Sequence, residues 1–417
     1  MQDCAIDDAI ASSKTYGDLE AQHALFRQLR EQDPVHWTEP SGFRPFWTVA
    51  RHADILEIER LPDRFLNAPR TKLFSIEFEQ SLREAMTGRT DLVRAVSQMD
   101  GDEHKAYRQI TQAWFQPRQV RLLEERIAAL ARRSVDEMAA LGPECDFYNQ
   151  VAVWYPLRVI MMILGLPEAD EATLLRITQT YFGGTDPDLQ RGSDMIRAAQ
   201  EYIAYFEHVA EQRRRQPTDD VASVIAHAQV NGQPLGRLES SSYYIALASA
   251  GHDTTSATAA GGVLALMQHP AQWRKLKDDP SLVPAAVDEM IRWVTPVKHF
   301  MRTATEDYVL HGKTIRAGDS LLLSFPSANR DPEAFDAPDE FRVDRSPNRH
   351  LGFGSGPHVC LGMVIAKLEL QLLLKELLAR VGSFEPNGEP AWVQTAFVGG
   401  LKRLPVRVTM ARWPLPA

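Results

Sequence analysis

The sequence predicts a mainly α-helical protein with small β-sheets. Between about residue 100 and residue 300, apolar residues recur at helical spacing and the runs end at proline or glycine. After residue 300 the pattern changes to short apolar runs that alternate with turn residues such as His311-Gly312-Lys313. No internal repeat, low-complexity tract or linker divides the 417 residues, and 8 Trp, 10 Tyr and 17 Phe supply enough apolar material for a large core.

Charge and cysteine content exclude several classes of protein. The 46 Lys and Arg residues against 55 Asp and Glu give a net charge of −9, which disfavours general binding to nucleic acids. Three scattered cysteines exclude a disulfide scaffold and favour a reducing compartment. The N-terminus is acidic where a signal peptide would be basic, and no apolar run approaches the roughly 18 residues of a spanning helix. We therefore expect a cytoplasmic protein.

Helices are predicted where apolar residues recur every three or four positions. Pro117 separates the first two of these helices, and Gly142-Pro143 closes the second. The polar segment 213–220 is predicted to be a connection. The longest helix is largely apolar but carries a polar cluster at its centre. The predicted helices cover residues 104–116, 118–141, 201–212, 238–269 and 285–294.

Short strands are predicted at Val309-Leu310, at 320–325 and at 404–410. The stretch 326–357 has no periodicity and is predicted to be irregular. Cys360 is then expected to open a final helix that runs to about Val381. Because irregular segments on a rigid scaffold commonly carry function, we expect the chemistry just before Cys360.

The segment Phe353-Gly-Ser-Gly-Pro-His-Val-Cys360-Leu-Gly362 admits several explanations. A lone cysteine is most often a small buried apolar residue. The glycines lack the third position of a dinucleotide fingerprint, and Phe353 and Pro357 replace the glycines of a nucleophile elbow. His358 and Cys360 supply only two of the four ligands of a zinc site.

This segment resembles the haem-binding loop of the cytochrome P-450 family, Phe-x-x-Gly-x-x-x-Cys-x-Gly, at Phe353, Gly356, Cys360 and Gly362. The resemblance implies haem b with the Cys360 thiolate as axial ligand. A cysteine at a helix start favours the thiolate, and a thiolate ligand favours cleavage of the O–O bond. The resemblance also implies the cytochrome P-450 fold, a helix-rich triangular prism enclosing the haem, as a single domain over residues 1–417.

The polar cluster in the longest helix reads Ala250-Gly-His-Asp-Thr-Thr255. Taken alone, it is an exposed patch or a threonine bonded to its own helix. It is similar to the family pattern Ala/Gly-Gly-x-Asp-Thr-Thr over the distal haem face. That similarity implies two catalytic residues, Thr254 beside bound dioxygen and water, and Asp253 as proton relay from solvent. We expect Thr254 to bond the carbonyl four residues back and to open the helix ladder.

A structural ion pair is predicted at Glu289-Met-Ile-Arg292, which matches the family's Glu-x-x-Arg. On its own, this spacing is common on helix surfaces. The family usually completes the pair with an arginine from a Pro-x-Arg-Phe segment, and here Glu340 stands in that position. Arg342 or Arg345 is the candidate third partner.

Four basic or imidazole side chains are candidates for binding the haem propionates. His104 and Arg108 lie four apart on one helical face, an arrangement that a basic surface turn also explains. The resemblance assigns these two, Arg302 and His358 to the propionates. Cationic donors of this kind suit carboxylates.

The substrate pocket is expected to be small and apolar. From the longest helix, Ala246, Ser249 and Ala250 are expected to share a face with Thr254. The resemblance adds Val297, with Phe397 and Val398 in the C-terminal loop. Several scaffold segments are similar to a bacterial family member that oxidises the monoterpenoid alpha-terpineol, which favours a monoterpenoid substrate: 114–117, 301–304, 326–330, 347–351 and 397–400.

The resemblance implies a monomeric monooxygenase that hydroxylates this substrate with O2 and electrons from a separate ferredoxin and its NAD(P)H-dependent reductase. No flavin or iron–sulfur module is evident in the sequence. A basic docking patch is a candidate at Lys105, Arg108, Arg118 and Arg121, although scattered solubilising charge explains these residues equally well. Two alternatives remain open, a peroxide-driven peroxygenase acting on a steroid, fatty acid or aromatic, and a non-catalytic haem-thiolate sensor.

Overall fold

Helices make up most of the structure. The computed structural model describes residues 2–85, 93–182, 186, 188 and 195–411. The α-helices in these ranges are α1 Gln2–Ala11, α2 Ser13–Gly17, α3 Leu19–Gln32, α4 His52–Glu59, α5 Ile76–Ala85, α6 Gly101–Gln112, α7 Pro117–Ala140, α8 Trp154–Leu164, α9 Glu171–Phe182, α10 Met195–Arg215, α11 Val221–Ala226, α12 Arg237–Gln268, α13 Pro270–Asp278, α14 Val283–Val294, α15 Phe325–Ala328 and α16 Met363–Arg380.

The strands form small sheets at the margins of the helices. The largest has the order β1-β2-β10-β7-β3, with β2 and β10 parallel and the other neighbours antiparallel. A second has the order β11-β14-β4, and the rest are two-stranded. The strands are β1 Val35–Thr38, β2 Phe46–Val49, β3 Phe65–Leu66, β4 Glu144–Asp146, β5 Gln229–Val230, β6 Gln233–Pro234, β7 His299–Ala304, β8 Tyr308–Leu310, β9 Lys313–Ile315, β10 Ser320–Ser324, β11 Val381–Pro386, β12 Ala391–Trp392, β13 Leu401–Arg403 and β14 Pro405–Met410.

Helix α12 is the central element of the core. Its 32 residues span about 48 Å, and it packs against α8, α10 and α14. Two glycines let α14 approach closely, because a Cβ at Gly261 would lie 2.6 Å from Val294 and one at Gly262 would lie 2.0 Å from Met290. No helix in the described part of the chain combines the length and apolarity that crossing a bilayer requires.

The predicted mainly α architecture is confirmed, with shifts at several ends. Helix α6 ends at Gln112, before Pro117, and Pro117 instead opens α7, because its missing N–H costs nothing in a first turn. Helix α10 continues to Arg215, since Arg213 pairs with Asp220 instead of joining a loose connection. The sequence analysis missed β7, which carries Arg302 and lies between β10 and β3 in the largest sheet.

A buried ion cluster ties α14 to the segment that precedes the cysteine loop. Arg292 makes two hydrogen bonds to the Glu289 carboxylate, at 2.7 and 2.8 Å, and both side chains are fully buried. The third partner is Arg345, whose Nε lies 3.0 Å from Glu289 Oε2. Arg342 contributes only its backbone N–H, at 2.9 Å. We call Glu289, Arg292 and Arg345 the Glu289 cluster.

Backbone carbonyls complete the Glu289 cluster. Arg292 donates to the carbonyls of Asn329 and Pro338, and Arg345 donates to those of Ala337 and Glu340. The position predicted to lack its arginine, Glu340, thus contributes its main chain. Because buried guanidinium groups are costly unless their donors are used, the cluster holds this irregular segment in one conformation.

We predict that Arg345→Met lowers the free energy of unfolding at pH 7 by about 3–5 kcal/mol, because it leaves part of a buried charge unpaired. Urea denaturation followed by circular dichroism measures the loss. Arg342→Met is the control, since its side chain pairs only with the exposed Asp336, and it should change stability by less than about 1 kcal/mol. Equal losses in both variants would contradict the assignment.

The same experiment has a pH signature. The pKa of Glu289 is lowered from its ordinary 4.5 because the hydrogen bonds and charges of its arginine and backbone partners outweigh burial, which acts to raise it. The stability from ionised Glu289 is therefore present above about pH 4.5 and declines as the pH falls through the folded pKa. The difference between wild type and Arg345→Met should shrink in the same acidic range.

Candidate active site

Two glycines in the left-handed region shape the loop that carries Cys360. Gly354 and Gly356 each have φ of +66°. A Cβ at Gly356 would lie 2.3 Å from the carbonyl oxygen of Glu59, at the end of α4. The backbone N–H of Cys360 donates to the carbonyl of Phe353 at 2.9 Å and closes the loop. Glycine at 356 is therefore required by both backbone conformation and contact.

Cys360 lies three residues before α16, which begins at Met363, so the prediction that Cys360 opens this helix is wrong by one turn. Burial raises the pKa of the Cys360 thiol, although the backbone N–H groups of Gly362 and Met363 and the charge of Arg108 act to lower it. The helix start alone therefore does not produce a thiolate. Although protein atoms surround the sulfur, the residue retains exposed surface, and a coordinated metal deprotonates a thiol outright.

Beside this loop lies a group of basic and imidazole side chains, His104, Arg108, Arg302 and His358, which we call the cationic cluster. The rings of His104 and His358 lie in contact, with centroids 3.9 Å apart and planes tilted by 32°. His104 is buried, and its Nε2 atom has no hydrogen-bond partner among the described residues. Arg108 donates to the carbonyl of Val359 at 2.7 Å.

The electrostatics of the cationic cluster favour an anion. The pKa of His358 is lowered to about 3, first by burial and then by the positive charges of His104, Arg302 and Arg108. Burial and the charge of Arg108 likewise lower the pKa of His104. Burial disfavours any charge here, so only the contribution from the neighbouring positive charges acts in favour of a carboxylate.

A carboxylate that the sequence analysis missed, Glu59, accompanies the cationic cluster. Its Oε1 atom lies 3.2 Å from Arg302, and both side chains are buried. Burial raises the pKa of Glu59 to about 7, against the opposing effects of Arg302 and of the Ser355 backbone N–H. The sequence could have indicated that Glu59 is buried, because it lies one helical turn after Ile55 and therefore on the same face of α4.

The polar cluster of α12 lies in an unbroken helix. Thr254 Oγ1 donates to the carbonyl of Ala250 at 2.9 Å, as predicted. The predicted opening of the ladder is wrong, because α12 is α-helical from Arg237 to Gln268. A hydroxyl that bonds back to its own helix shares the carbonyl without displacing the backbone.

Asp253 is half-buried and lines a cavity of about 350 Å³ together with polar residues that include Tyr148, Gln179 and Lys402. Its Oδ1 atom lies 3.0 Å from Nδ1 of the fully buried His252. Because the Val153 carbonyl can only accept, His252 Nε2 donates to it at 2.9 Å. Asp253 therefore lies between a buried imidazole and a polar route outward.

The predicted substrate residues fall into two groups. Ala250 is exposed, and Ala246 and Thr254 are partly exposed one turn on either side, although α12 is otherwise largely buried. Ser249 does not share this open face, because it is buried and donates to the carbonyl of Ile245 at 2.6 Å. Its position is one residue, or about 100°, away from Ala250.

The second group comes together from distant segments. Val297 and Val398 form an isolated antiparallel bridge. The ring of Phe397 lies 5.6 Å from that of Phe300 on β7. The C-terminal loop thus packs against the start of the strand that carries Arg302.

Comparison with known proteins decides the family. The cytochrome P450 family pattern matches residues 180–390. The chain is 41% identical to cytochrome P450-terp of a Pseudomonas species, over 95% of both chains. It is 31% identical to linalool 8-monooxygenase of Pseudomonas putida, over 92% of this chain and 95% of that one. The chain belongs to the cytochrome P450 family.

Solved structures agree with this cytochrome P450 throughout its length. CYP108D1 of Novosphingobium aromaticivorans superposes with a TM-score of 0.91 at 42% identity, covering 98% of this chain and 99% of that one. CYP268A2 of Mycobacterium marinum, in complex with pseudoionone, gives a TM-score of 0.88 at 31% identity, covering 94% and 96%. The cytochrome P-450 fold and monooxygenase activity predicted from the sequence are confirmed.

Membership in the family implies haem with a cysteine thiolate as axial ligand, and the residues present fit that group. Cys360 retains exposed surface and has two backbone donors beside its sulfur. The unpartnered His104 Nε2 atom and the positive potential of the cationic cluster suit the carboxylates of the porphyrin.

We predict that Cys360→His abolishes the red-shifted absorption band that the reduced carbon monoxide complex shows with a thiolate ligand. Cys145→Ala is the matched control, because Cys145 is the other described free cysteine and lies buried in β4. That control should keep the band. A red-shifted band that survives in Cys360→His would show that another residue is the axial ligand.

Proposed function

We propose that this cytochrome P450 hydroxylates a small hydrophobic molecule of the monoterpenoid class, such as a terpineol-like alcohol. The observation that carries the proposal is the open face of α12, where Ala246 and Ala250 keep small side chains beside Thr254. The names of two relatives, cytochrome P450-terp and linalool 8-monooxygenase, support the same class. Val297, Phe397 and Val398 form the opposite wall in this proposal.

The propionate carboxylates are held in this proposal by the cationic cluster of His104, Arg108, Arg302 and His358. Phe353 and Gly362 complete the cofactor-binding loop around Cys360. In this proposal residues 1–417 form one haem domain, and the electrons come from a ferredoxin and its NAD(P)H-dependent reductase.

Asp253 and Thr254 are the proposed catalytic residues. Haem, when bound, supplies the oxygen-activating chemistry. Thr254 Oγ1 donates its hydrogen bond to the Ala250 carbonyl. Its lone pairs can therefore accept a hydrogen bond from a water molecule and hold that water on the open face. The Asp253 carboxylate passes protons to that water from the polar cavity it shares with Lys402.

The proposed ferredoxin surface combines charge with one apolar side chain. Lys105, Arg118 and Arg121 are exposed, and Leu122 is 69% exposed in the same turn of α7 as Arg118 and Arg121. Arg108 is partly buried and bonded to Val359, so it belongs to the haem side of this surface. The basic side chains would steer an acidic partner toward this surface, and Leu122 would add a small apolar contact.

Reconstitution with ferredoxin, reductase and NADH tests the function directly, with alpha-terpineol and linalool as substrates. We expect product formation that depends on both proteins, and a KM for ferredoxin that rises with salt because exposed charges are screened. Turnover with hydrogen peroxide alone would favour the peroxygenase alternative. Substrate binding without turnover under either condition would favour the sensor.

We predict that Thr254→Ala keeps consuming NADH but forms about tenfold less product per NADH, because the positioned water is lost. Thr254→Ser retains the hydroxyl and should restore most of the coupling. Asp253→Asn should instead slow oxygen consumption and enlarge its solvent isotope effect. Wild-type coupling in Thr254→Ala would remove Thr254 from the proton path.

We predict that Ala250→Leu weakens binding of a ring-sized substrate by about tenfold or more, because the added carbons occupy the open face. The low- to high-spin absorption shift measures binding. Ser249→Ala is the control and should bind normally, since Ser249 is buried away from this face. An unchanged affinity in Ala250→Leu would place the substrate elsewhere.

A further inference from the structure

A second cavity, of about 590 Å³, lies between α3, the C-terminal half of α12 and the segment that follows α14. None of the proposed catalytic, haem or substrate residues lines it. We call it the Lys298 cavity, and its walls include Gln22, Leu264, Trp293, Lys298, Arg330 and Trp392. Its volume lies within the range of small-molecule sites.

Lys298 is buried without a counter-charge. Its side chain is 3% exposed, and its amine donates to the carbonyls of Val294 and Thr295 at 3.3 and 2.9 Å. Within the described residues it forms no ion pair with a carboxylate. The two carbonyls lie at the C-terminus of α14, where a cation is favourable, but they use only two of the three N–H groups of an ammonium.

The two arginines of the cavity both pair with one carboxylate, Asp339. Asp339 lies 3.2 Å from Arg330 and 3.1 Å from Arg27. Arg330 is buried, and its guanidinium stacks on Trp293 at 3.6 Å from the ring centre. When Lys298 is protonated, the walls hold three cations, Arg27, Lys298 and Arg330. They hold two carboxylates, Asp339 and the exposed Glu20, so the net charge of these five groups is +1.

A second observation points to a ligand. Gln22 lines the cavity and is 1% exposed, yet its Oε1 atom has no hydrogen-bond partner among the described residues. A buried amide without a partner costs free energy unless another group satisfies it. Because the oxygen and nitrogen of an amide can exchange places, Gln22 can offer a donor as well as an acceptor.

We propose that the Lys298 cavity binds a small carboxylate with an apolar body, seated on the Lys298 amine and the Gln22 amide. One uncompensated positive charge matches a monoanion better than a phosphate. The apolar body would lie against Leu264, Trp293 and Trp392, which supply the non-polar part of the walls.

The pKa values of the side chains in the cavity walls support the proposal of a carboxylate ligand. Burial lowers the pKa of Lys298 to about 7, and burial together with neighbouring cations lowers that of His23 to about 3. Burial lowers the pKa of Arg330 to about 9. Between pH 6 and pH 8, Lys298 is therefore the group of this set whose charge changes, and an anion that binds its protonated form should bind less tightly as the pH rises.

The test uses the ferric holoenzyme with imidazole on the haem and 4-phenylbutyrate as probe, followed by isothermal titration calorimetry at pH 6.5. We expect a dissociation constant in the millimolar range or below, with an unchanged imidazole absorption spectrum. The neutral analogue 4-phenylbutan-1-ol should bind about tenfold less tightly or worse. Absence of binding, or displacement of imidazole, would overturn the proposal.

Variants locate the site. Lys298→Met should weaken the binding of 4-phenylbutyrate by about tenfold or more and remove the pH dependence of its dissociation constant. Lys277→Met is the matched control, because Lys277 also donates to a backbone carbonyl and lies against a tryptophan, but outside this cavity. If Lys298 only caps α14, Lys298→Met will lose stability and bind the probe as wild type does. Should that variant fail to fold, Gln22→Leu provides the same comparison.

Discussion

The Glu289 cluster is the constraint on which the haem side of the molecule depends. The segment between α15 and α16 has almost no regular structure, so backbone pairing does not hold it in place. Two buried arginines that share one carboxylate, and whose remaining donors reach backbone carbonyls of this segment, supply that restraint. Removing ions from water is costly, and the cost is offset only when nearly every donor is used. The cysteine loop therefore begins from a segment with one permitted arrangement.

The geometry of Cys360 follows from three separate elements. Helix α4 ends against Gly356, α6 brings His104 and Arg108, and β7 brings Arg302. Each contributes positive charge or close packing to a loop that has little charge of its own. Burial raises the pKa of the thiol, so these elements by themselves do not create a free thiolate.

Helix α12 contributes to three regions of the molecule. Its central turns present alanines and a back-bonded threonine, and two turns later its glycines admit α14. Beyond those glycines it forms a wall of the Lys298 cavity. A small-residue helix permits all three because the backbone can lie close to its neighbours without side chains between them.

The sequence by itself determined the helical class. Through its resemblance to the family it also pointed to the cysteine loop, the Thr254 and Asp253 pair and the Glu289–Arg292 pair, because each motif lies within a few residues at helical or loop spacing. The tertiary structure decided everything that joins distant segments. In the folded protein Arg345, and not the side chain of Arg342, is the third partner of the Glu289 cluster. Ser249 is buried away from the open face of α12, and Glu59 lies beside Arg302. The tertiary structure also left Lys298 without a carboxylate and Gln22 without a partner in one cavity. Local spacing records which face of an element a residue occupies, whereas burial and pairing depend on which other element covers that face.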